Sequence, residues 1–421
     1  MIKDRLQKQL ISASQKFEEP EWFQNFRLKA LKDIDHAPIP HFSKIHYQNW
    51  DLLNGQITSS LDLEPTEFNK EIDLPEKNYL IIYGNNLLKA NIDSDLIDKG
   101  LIVTDFKTAL HDYPKLVKEY LNSAFKNSPS KFVNFNTAFM SNGLFVYVPK
   151  DLVISDVISV YCILPSDNNR TFAHRVLMIG DVNSELNILE NYIGSSKCVS
   201  LVEEFYLKDN AKLKFNAVDN FGINSDVYLK RQFELNTNAD LSWINGSVSD
   251  SNVVNDFLVN LNGENSHADF KAVALSSKKQ TQGFNTRINN LGLHTVGHIL
   301  QRGVILDSSH LIFNGIGQIV KGARGSDAQQ ESRVLMLSKN GSGDANPILL
   351  IDENDVTAGH AASVGRINES QLYYLMSRGL SEYSAQKVVI LGFLNDILSE
   401  IPLDGLRQSL NNLIERKLKI G

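Results

Sequence analysis

Apolar residues recur at helical spacing towards both ends of the chain and at every second position through its middle. Near the start, Ile2, Leu6 and Leu10 fall on one helical face, and Pro20 stops that helix. A second short helix is predicted over Glu21–Lys32, ahead of the turn Pro38-Ile39-Pro40. "NYLIIYG" (78–84) has the unbroken apolar character of a buried strand, and 108–125 reads as helix interrupted or begun at Pro114. From "GLFVYVPKDL" (143–152) onward the chain changes character. Short runs rich in Val, Ile, Phe, Leu and Tyr alternate with polar residues and are separated by Asn, Asp, Ser and Gly, which predicts many short strands.

Those runs repeat. "NSELNIL", "NAKLKFN", "NADLSWI" and "HADFKAV" begin at 183, 210, 238 and 267, in steps of 27, 28 and 29 residues. Each places a polar turn residue three positions before Leu186, Leu213, Leu241 or Phe270. Between them lies a second strand-like run, such as "LVEEFYL" (201–207) or "VYLKRQFEL" (227–235), so each unit carries two strands and two turns. A fixed period of this kind is expected of a β-solenoid, in which each coil buries its inner face by stacking on the last. A β-sandwich would also place turns every 8–12 residues, but has no reason to keep register over successive units.

The end of the chain returns to helix. Asn368 and Gln371 form a helix-start pair, and Gly379 is a left-handed cap. Ser381 opens a second helix in which Ala385, Val388, Val389, Phe393 and Ile397 are expected to share a face, with Pro402 beyond its end. Tyr373 and Tyr374, beside Leu372 and Leu375, make the first helix apolar on more than one side, so it either sits deep or docks a partner. The expected plan is a helix-rich α/β region over 1–140, a parallel β-helix over 141–366 and a helical segment over 367–421.

Composition narrows the class. Of 421 residues, 42 are basic and 49 acidic, a net charge of −7 with no long block of either sign, which argues against nucleic-acid binding. The charged first segment lacks the apolar core of a signal peptide, and the longest apolar runs fall far short of the roughly 20 residues that span a bilayer. A cytoplasmic protein with no membrane contact is expected. Cys162 and Cys198 have no metal-binding spacing and sit in strand-like runs, as buried filler would.

Catalytic devices are missing from the sequence. "GLHTVGH" (292–298) puts His298 where a phosphate-loop lysine should stand, and "GIGQIV" (315–320) lacks the third dinucleotide glycine and reads more simply as a solenoid turn. An energy-driven process would need its ATPase on another chain. His294 and His298 have helical chelate spacing in a region that reads as strand, so they are expected at ordinary polar positions. The acidic run 352–355 lacks the spaced ligands of a calcium loop and suits a solvated turn. After it comes "DVTAGHAASVG" (355–365), in which His360 is surrounded by small residues. The missing bulk leaves room for a metal or a partner's backbone. It is equally compatible with a tight turn that points His360 at water.

Three blocks then carry a resemblance: 321–338, 346–367 and 371–398 resemble the signature blocks of the SufB/SufD family, scaffold subunits of the Suf system for iron–sulfur cluster assembly. "PEWFQNFRLKAL" (20–31) and "FNTAFMSNGLFVYVPKDLVI" (135–154) are similar to N-terminal blocks of the SufD branch. The resemblance implies a right-handed parallel β-helix between helical end domains. It also implies a heterodimer with SufB and one SufC ATPase bound through the C-terminal helices, with Leu372, Tyr373, Tyr374, Leu375, Arg378, Gly379 and Phe393 as contributors. In many relatives the segment matching 355–365 reads Cys-Ser-His-Gly-Ala and lies where a cluster is thought to assemble at the SufB interface. Here Ala358 takes the cysteine position and Gly359 the serine position, while His360 keeps the histidine. A neutral imidazole is a competent iron ligand, but most cluster sites use four ligands, chiefly thiolates. His360 is therefore the candidate metal residue, with a transient cluster shared with SufB and none bound by this chain alone.

The expected activity is that of a non-catalytic scaffold that can pair with itself in isolation. Two rivals belong to other classes. A β-helix carbohydrate lyase or hydrolase would need clustered carboxylates, whereas Glu185, Asp240 and Asp269 recur at turn starts. A reductase or flavoprotein would need a flavin fingerprint that the sequence lacks.

Overall fold

The computed structural model describes residues 2–53, 74–126, 129–401 and 404–420. Asparagine sets the corners of its middle part. Asn183, Asn210, Asn238 and Asn265 have φ of 59°, 59°, 56° and 58°, in the left-handed region that asparagine tolerates better than most residues. Their amides also stack: Asn210 Nδ2 donates to Asn183 Oδ1 and Asn238 Nδ2 to Asn210 Oδ1, both at 2.9 Å. This corrects the fourth repeat. Asn265, not His267, takes the corner, and Ala268 rather than Phe270 stands opposite Leu241. The recurring element is a left-handed asparagine, which a reading of "polar turn residue" does not distinguish from histidine.

From these corners run two parallel sheets. One stacks residues 153–164 and 185–194, then Lys212–Phe221, Asp240–Ser247, His267–Ser276, Val296–Ile305, Asp327–Met336 and Thr357–Arg366. The other stacks Asn142–Val148, residues 174–180 and 198–207, then Asp226–Leu235, Asn252–Leu261, Thr281–Asn290, His310–Ile319 and Ser342–Ile351. Together they wind a parallel β-solenoid of about 8 turns, two strands to a coil, with helices at both ends of the chain. "GIGQIV" lies mostly in the strand His310–Ile319 rather than in a turn. A Cβ on Gly315 would come 2.6 Å from Gln330 Oε1, so glycine there relieves a crowded interior.

The alternation buries one set of side chains along the axis. Phe215, Trp243, Phe270 and Ile299 stand opposite one another on successive rungs, facing Phe205, Phe233, Phe257 and Phe284 in the same core. Phe205 and Phe233 stack at 4.1 Å, and Trp243 lies 4.4 Å from Phe270 and 4.7 Å from Phe257. Burying each such ring contributes about 2–3 kcal/mol before entropy is charged against it.

The two ends of the rod differ. Tyr79–Tyr83 pairs parallel with residues 159–163 and is itself backed by the antiparallel strand Asn86–Asn91. Ile102–Asp105 lies antiparallel on Asn142–Val148. The N-terminal end of both sheets thus finishes on a short antiparallel strand. Helices Ile2–Lys16, Glu21–Asp33 and Lys131–Phe139 share a core with Ala173 and Cys198 on the outside of the second sheet. Pro114 does interrupt the 108–125 stretch: helices Phe106–Asp112 and Pro114–Tyr120 meet there.

At the other terminus, helices Glu382–Leu398 and Asp404–Ile420 pack on the outside of the first sheet. Ile390, Leu394, Ile397, Leu410 and Ile414 bury against Val218, Val273, Leu275 and Val304. The expected shared face of the longer helix is covered only in part. Ala385 and Ile397 are buried, but Val388 is half exposed and Val389 and Phe393 are only partly covered. That helix is apolar on most of its circumference, so periodicity alone does not select the face that meets the rod. Among the described residues no helix is long and apolar enough to cross a membrane.

Candidate functional site

Nothing stacks on the last rung of either sheet among the described residues. Thr357–Arg366 pairs with Asp327–Met336 on one side only, and Ser342–Ile351 pairs only with His310–Ile319. All of Thr357–Arg366 is exposed save half-buried Gly359. Its outer edge therefore presents unpaired backbone groups, the feature that strand addition exploits.

His360 lies within this strand, which rules out the tight turn. It stands opposite Gln330, at the end of the column that runs through Phe215, Trp243, Phe270 and Ile299. An apolar stack thus turns polar over its last two rungs, where no further coil covers it. Ala358, Gly359, Ala361, Ala362 and Ser363 keep the strand low and its backbone approachable. A Cβ on Gly359 would meet Gln329 Oε1 at 2.5 Å, so even the small residue there is fitted to its neighbour.

The other candidates resolve into structural roles. Glu353 accepts from Gly322 N at 2.9 Å and Asn354 N at 2.8 Å, and these backbone donors hold its carboxyl below the usual range. The acidic run thus braces the turn at Gly322, whose φ is 99°. His294 occupies a left-handed corner, φ 56°, while His298 Nε2 lies 3.2 Å from Asp327. Glu185, Asp240 and Asp269 are ion-paired with Lys214, His267 and Lys271 at 3.9, 2.9 and 2.8 Å. Cys162 and Cys198 are buried thiols. Among the described residues no group of three or more His, Cys, Asp or Glu side chains is arranged to hold a metal ion.

Beside the open edge stands a helix pair. Asn368 Oδ1 caps helix Glu369–Ser377 by accepting from Ser370 N at 2.9 Å and Gln371 N at 3.3 Å, and Gly379, φ 94°, ends the turn beyond it. Ser381 Oγ caps the next helix through Ser384 N at 3.2 Å. None of Glu369–Ser377 is buried. Tyr373 is 76% exposed and Tyr374 57%, with the Arg378 guanidinium 5.3 Å over the Tyr374 ring. Leu372, Leu375 and Phe393 are half-buried between the two helices, and Gly379 is exposed. Tyr374, Leu375, Val388 and Phe393 line a groove of about 680 Å³ that reaches Leu335 and Arg366 on the rod. Sequence reasoning did not count Val388, nor the exposed Met376, Leu380 and Tyr383, among the docking residues. Their signal was the surplus of apolar residues over what one helix face can hold.

Comparison with known proteins agrees over nearly the whole chain. Residues 163–393 match the family described as SUF system FeS cluster assembly, SufBD core domain, and residues 9–160 match the SufBD protein N-terminal region. The iron–sulfur cluster assembly protein SufD of Bacillus subtilis is 36% identical, over 98% of each chain. SufBD family proteins of Staphylococcus saprophyticus and Staphylococcus haemolyticus are 25% and 27% identical, each over 92% of this chain and 87% of theirs. A two-strand solenoid with an uncovered end, matched along both its regions by these relatives, belongs to the SufB/SufD family of iron–sulfur cluster assembly proteins.

Proposed function

We propose that this chain is a non-catalytic scaffold subunit of the Suf complex, pairing with SufB through the open end of the solenoid and docking the SufC ATPase on the helix pair 369–398. The observation that carries the reading is the contrast between the two ends of the rod. Short antiparallel strands of six and four residues end one, while the other leaves all ten residues of the parallel strand Thr357–Arg366 unpaired on one side, beside the exposed Tyr373 and Tyr374. Folded proteins usually blunt such edges and cover such aromatics unless a partner does so. The cluster is cargo in this scheme. His360 supplies one imidazole to it, and the thiolates come from SufB, since the strand itself carries no cysteine.

Co-expression with SufB and SufC tests this directly. Tyr374→Asp with Phe393→Asp is expected to abolish SufC co-purification while SufB and the strand signal in circular dichroism stay. His360→Ala is expected to retain both partners and lower the iron content. SufC retained by the helix variant refutes the dock, and equal iron removes His360 from the ligand set.

A further inference from the structure

Inside the rod, polar side chains stand where the alternation calls for apolar ones. Glu190 belongs to an inward column that continues through Ala217 and Asn245. Two residues on, Tyr192 stands opposite Cys162 on one rung and Asp219 on the next. The facing sheet adds His174, Glu203 and Arg231. Every one of these side chains is at most 2% exposed.

Their hydrogen bonds leave the charge unbalanced. Arg231 grips Asp219 with both terminal nitrogens at 3.0 Å and Glu203 through Nε at 2.7 Å. Asn245 Nδ2 donates to Asp219 at 3.1 Å, and Tyr192 donates its hydroxyl to Glu203 at 3.1 Å. Glu190 lies 4.0 Å from Arg231 Nη2, and neither of its oxygens has a hydrogen-bond partner. Three carboxylates therefore face one guanidinium. His174 supplies no second cation, because burial pulls its imidazole down to about 3 and it meets Tyr192 OH, at 3.2 Å, as the neutral ring. Among the described residues no arrangement there fits a metal ion. An ionised carboxylate with no donor in a dry interior is too costly to persist, and neutralisation is the usual outcome.

We propose that this cluster is a proton-binding site: Glu190 is carried inside the solenoid as the neutral acid, and its proton is a structural component of the rod. Once protonated, Glu190 gains a donor that it can turn towards the Glu203 carboxylate, which relieves the repulsion between them. Burial, and then the Glu203 charge, push the Glu190 carboxyl well above its ordinary value. Burial is opposed at Glu203 by Arg231, whose own charge Asp219 and Glu203 secure against desolvation. Cys162 and Tyr192, raised well above their usual values chiefly by burial, stay protonated. The folded chain therefore holds a proton that the unfolded chain releases above the ordinary glutamate value of 4.5. Its contribution is complete below that pH and is lost progressively as pH rises.

Urea unfolding of wild type and Glu190→Gln between pH 6 and 8 tests this, because the amide mimics the neutral acid and does not titrate. One retained proton makes the ratio of the two unfolding constants change about tenfold per pH unit, to the advantage of the glutamine variant as pH rises. The infrared spectrum in D₂O at pH 8 should show a protonated-carboxyl band in wild type that is absent from Glu190→Gln. A pH-independent ratio overturns the proposal, as does a wild-type spectrum without that band. So does a glutamine variant that fails to fold at pH 8 where wild type is folded.

Discussion

Lys417 Nζ lies 3.1 Å from Asp250 Oδ1, in the seam between the last helix and the rod. The ammonium is almost fully buried and also meets the Leu275 carbonyl at 3.1 Å and Ser277 Oγ and Gln280 Oε1 at 3.4 Å. It is the most deeply buried of the polar contacts that hold the C-terminal helices to the rod, the others being Arg302 with Asp396 and Lys271 with Glu400 at its margin.

Lys417→Met should therefore cost about 1–2 kcal/mol in urea unfolding, because it takes from Asp250 its nearer cation and leaves it only Lys278, at 3.6 Å, while the Leu275 carbonyl and Gln280 Oε1 keep their other donors, Gln282 Nε2 and Ser277 N. Burial pulls the Lys417 amine down to about 8 against the opposing charge of Asp250. The unfolded chain binds this proton more tightly than the folded one, so the wild type should gain stability relative to the methionine variant as pH rises from about 8 towards 10.5. A difference that stays flat over that window would show that the amine is not desolvated.

Corner geometry predicts an order of variants. Asn238→Ala places an ordinary residue at φ 56° and removes the bond to Asn210, for a loss of about 1–2 kcal/mol. Asn238→Gly keeps the backbone relaxed and should lose less. Thermal unfolding in which glycine is the worse substitution would contradict the corner argument.

Trp243 sits among Phe215, Phe233, Phe257 and Phe270, and its Nε1 has no hydrogen-bond partner among the described residues. Trp243→Ala should cost about 3–5 kcal/mol by opening a cavity on the axis. Trp243→Phe also deletes the unpaired N–H, so its penalty should be clearly smaller. Equal losses in urea unfolding would mean that ring volume is not what this position supplies.

The solenoid was legible because its corners need a residue that accepts a left-handed backbone, and asparagine recurs there at nearly constant spacing. Legibility failed where the chemistry was degenerate. His267 resembles a polar corner residue until Asn265 is recognised as the left-handed one. The helix Glu382–Leu398 is apolar almost all round, so its periodicity could not tell the rod-facing Ile390 and Leu394 from Val388 and Phe393. At the candidate site, His360 and the exposed tyrosines stood out through local composition. That His360 ends an interior column did not, because that depends on register with Gln330 in another coil. The interior charges were hidden by their neighbours. In Glu203-Glu204 one carboxylate faces the axis and the other meets Arg175 on the outside, the ordinary alternation of a strand in which Leu201 and Phe205 face inward, but a glutamate pair reads as solvated until that parity is followed.

The asymmetry of the rod also limits how many chains can join by strand addition. One end finishes on short antiparallel strands of six and four residues, and the other on parallel strands of ten residues each, so the longer free edges lie at the C-terminal end. Two such chains meeting at that end consume the long edges of both, which favours a closed pair over a filament.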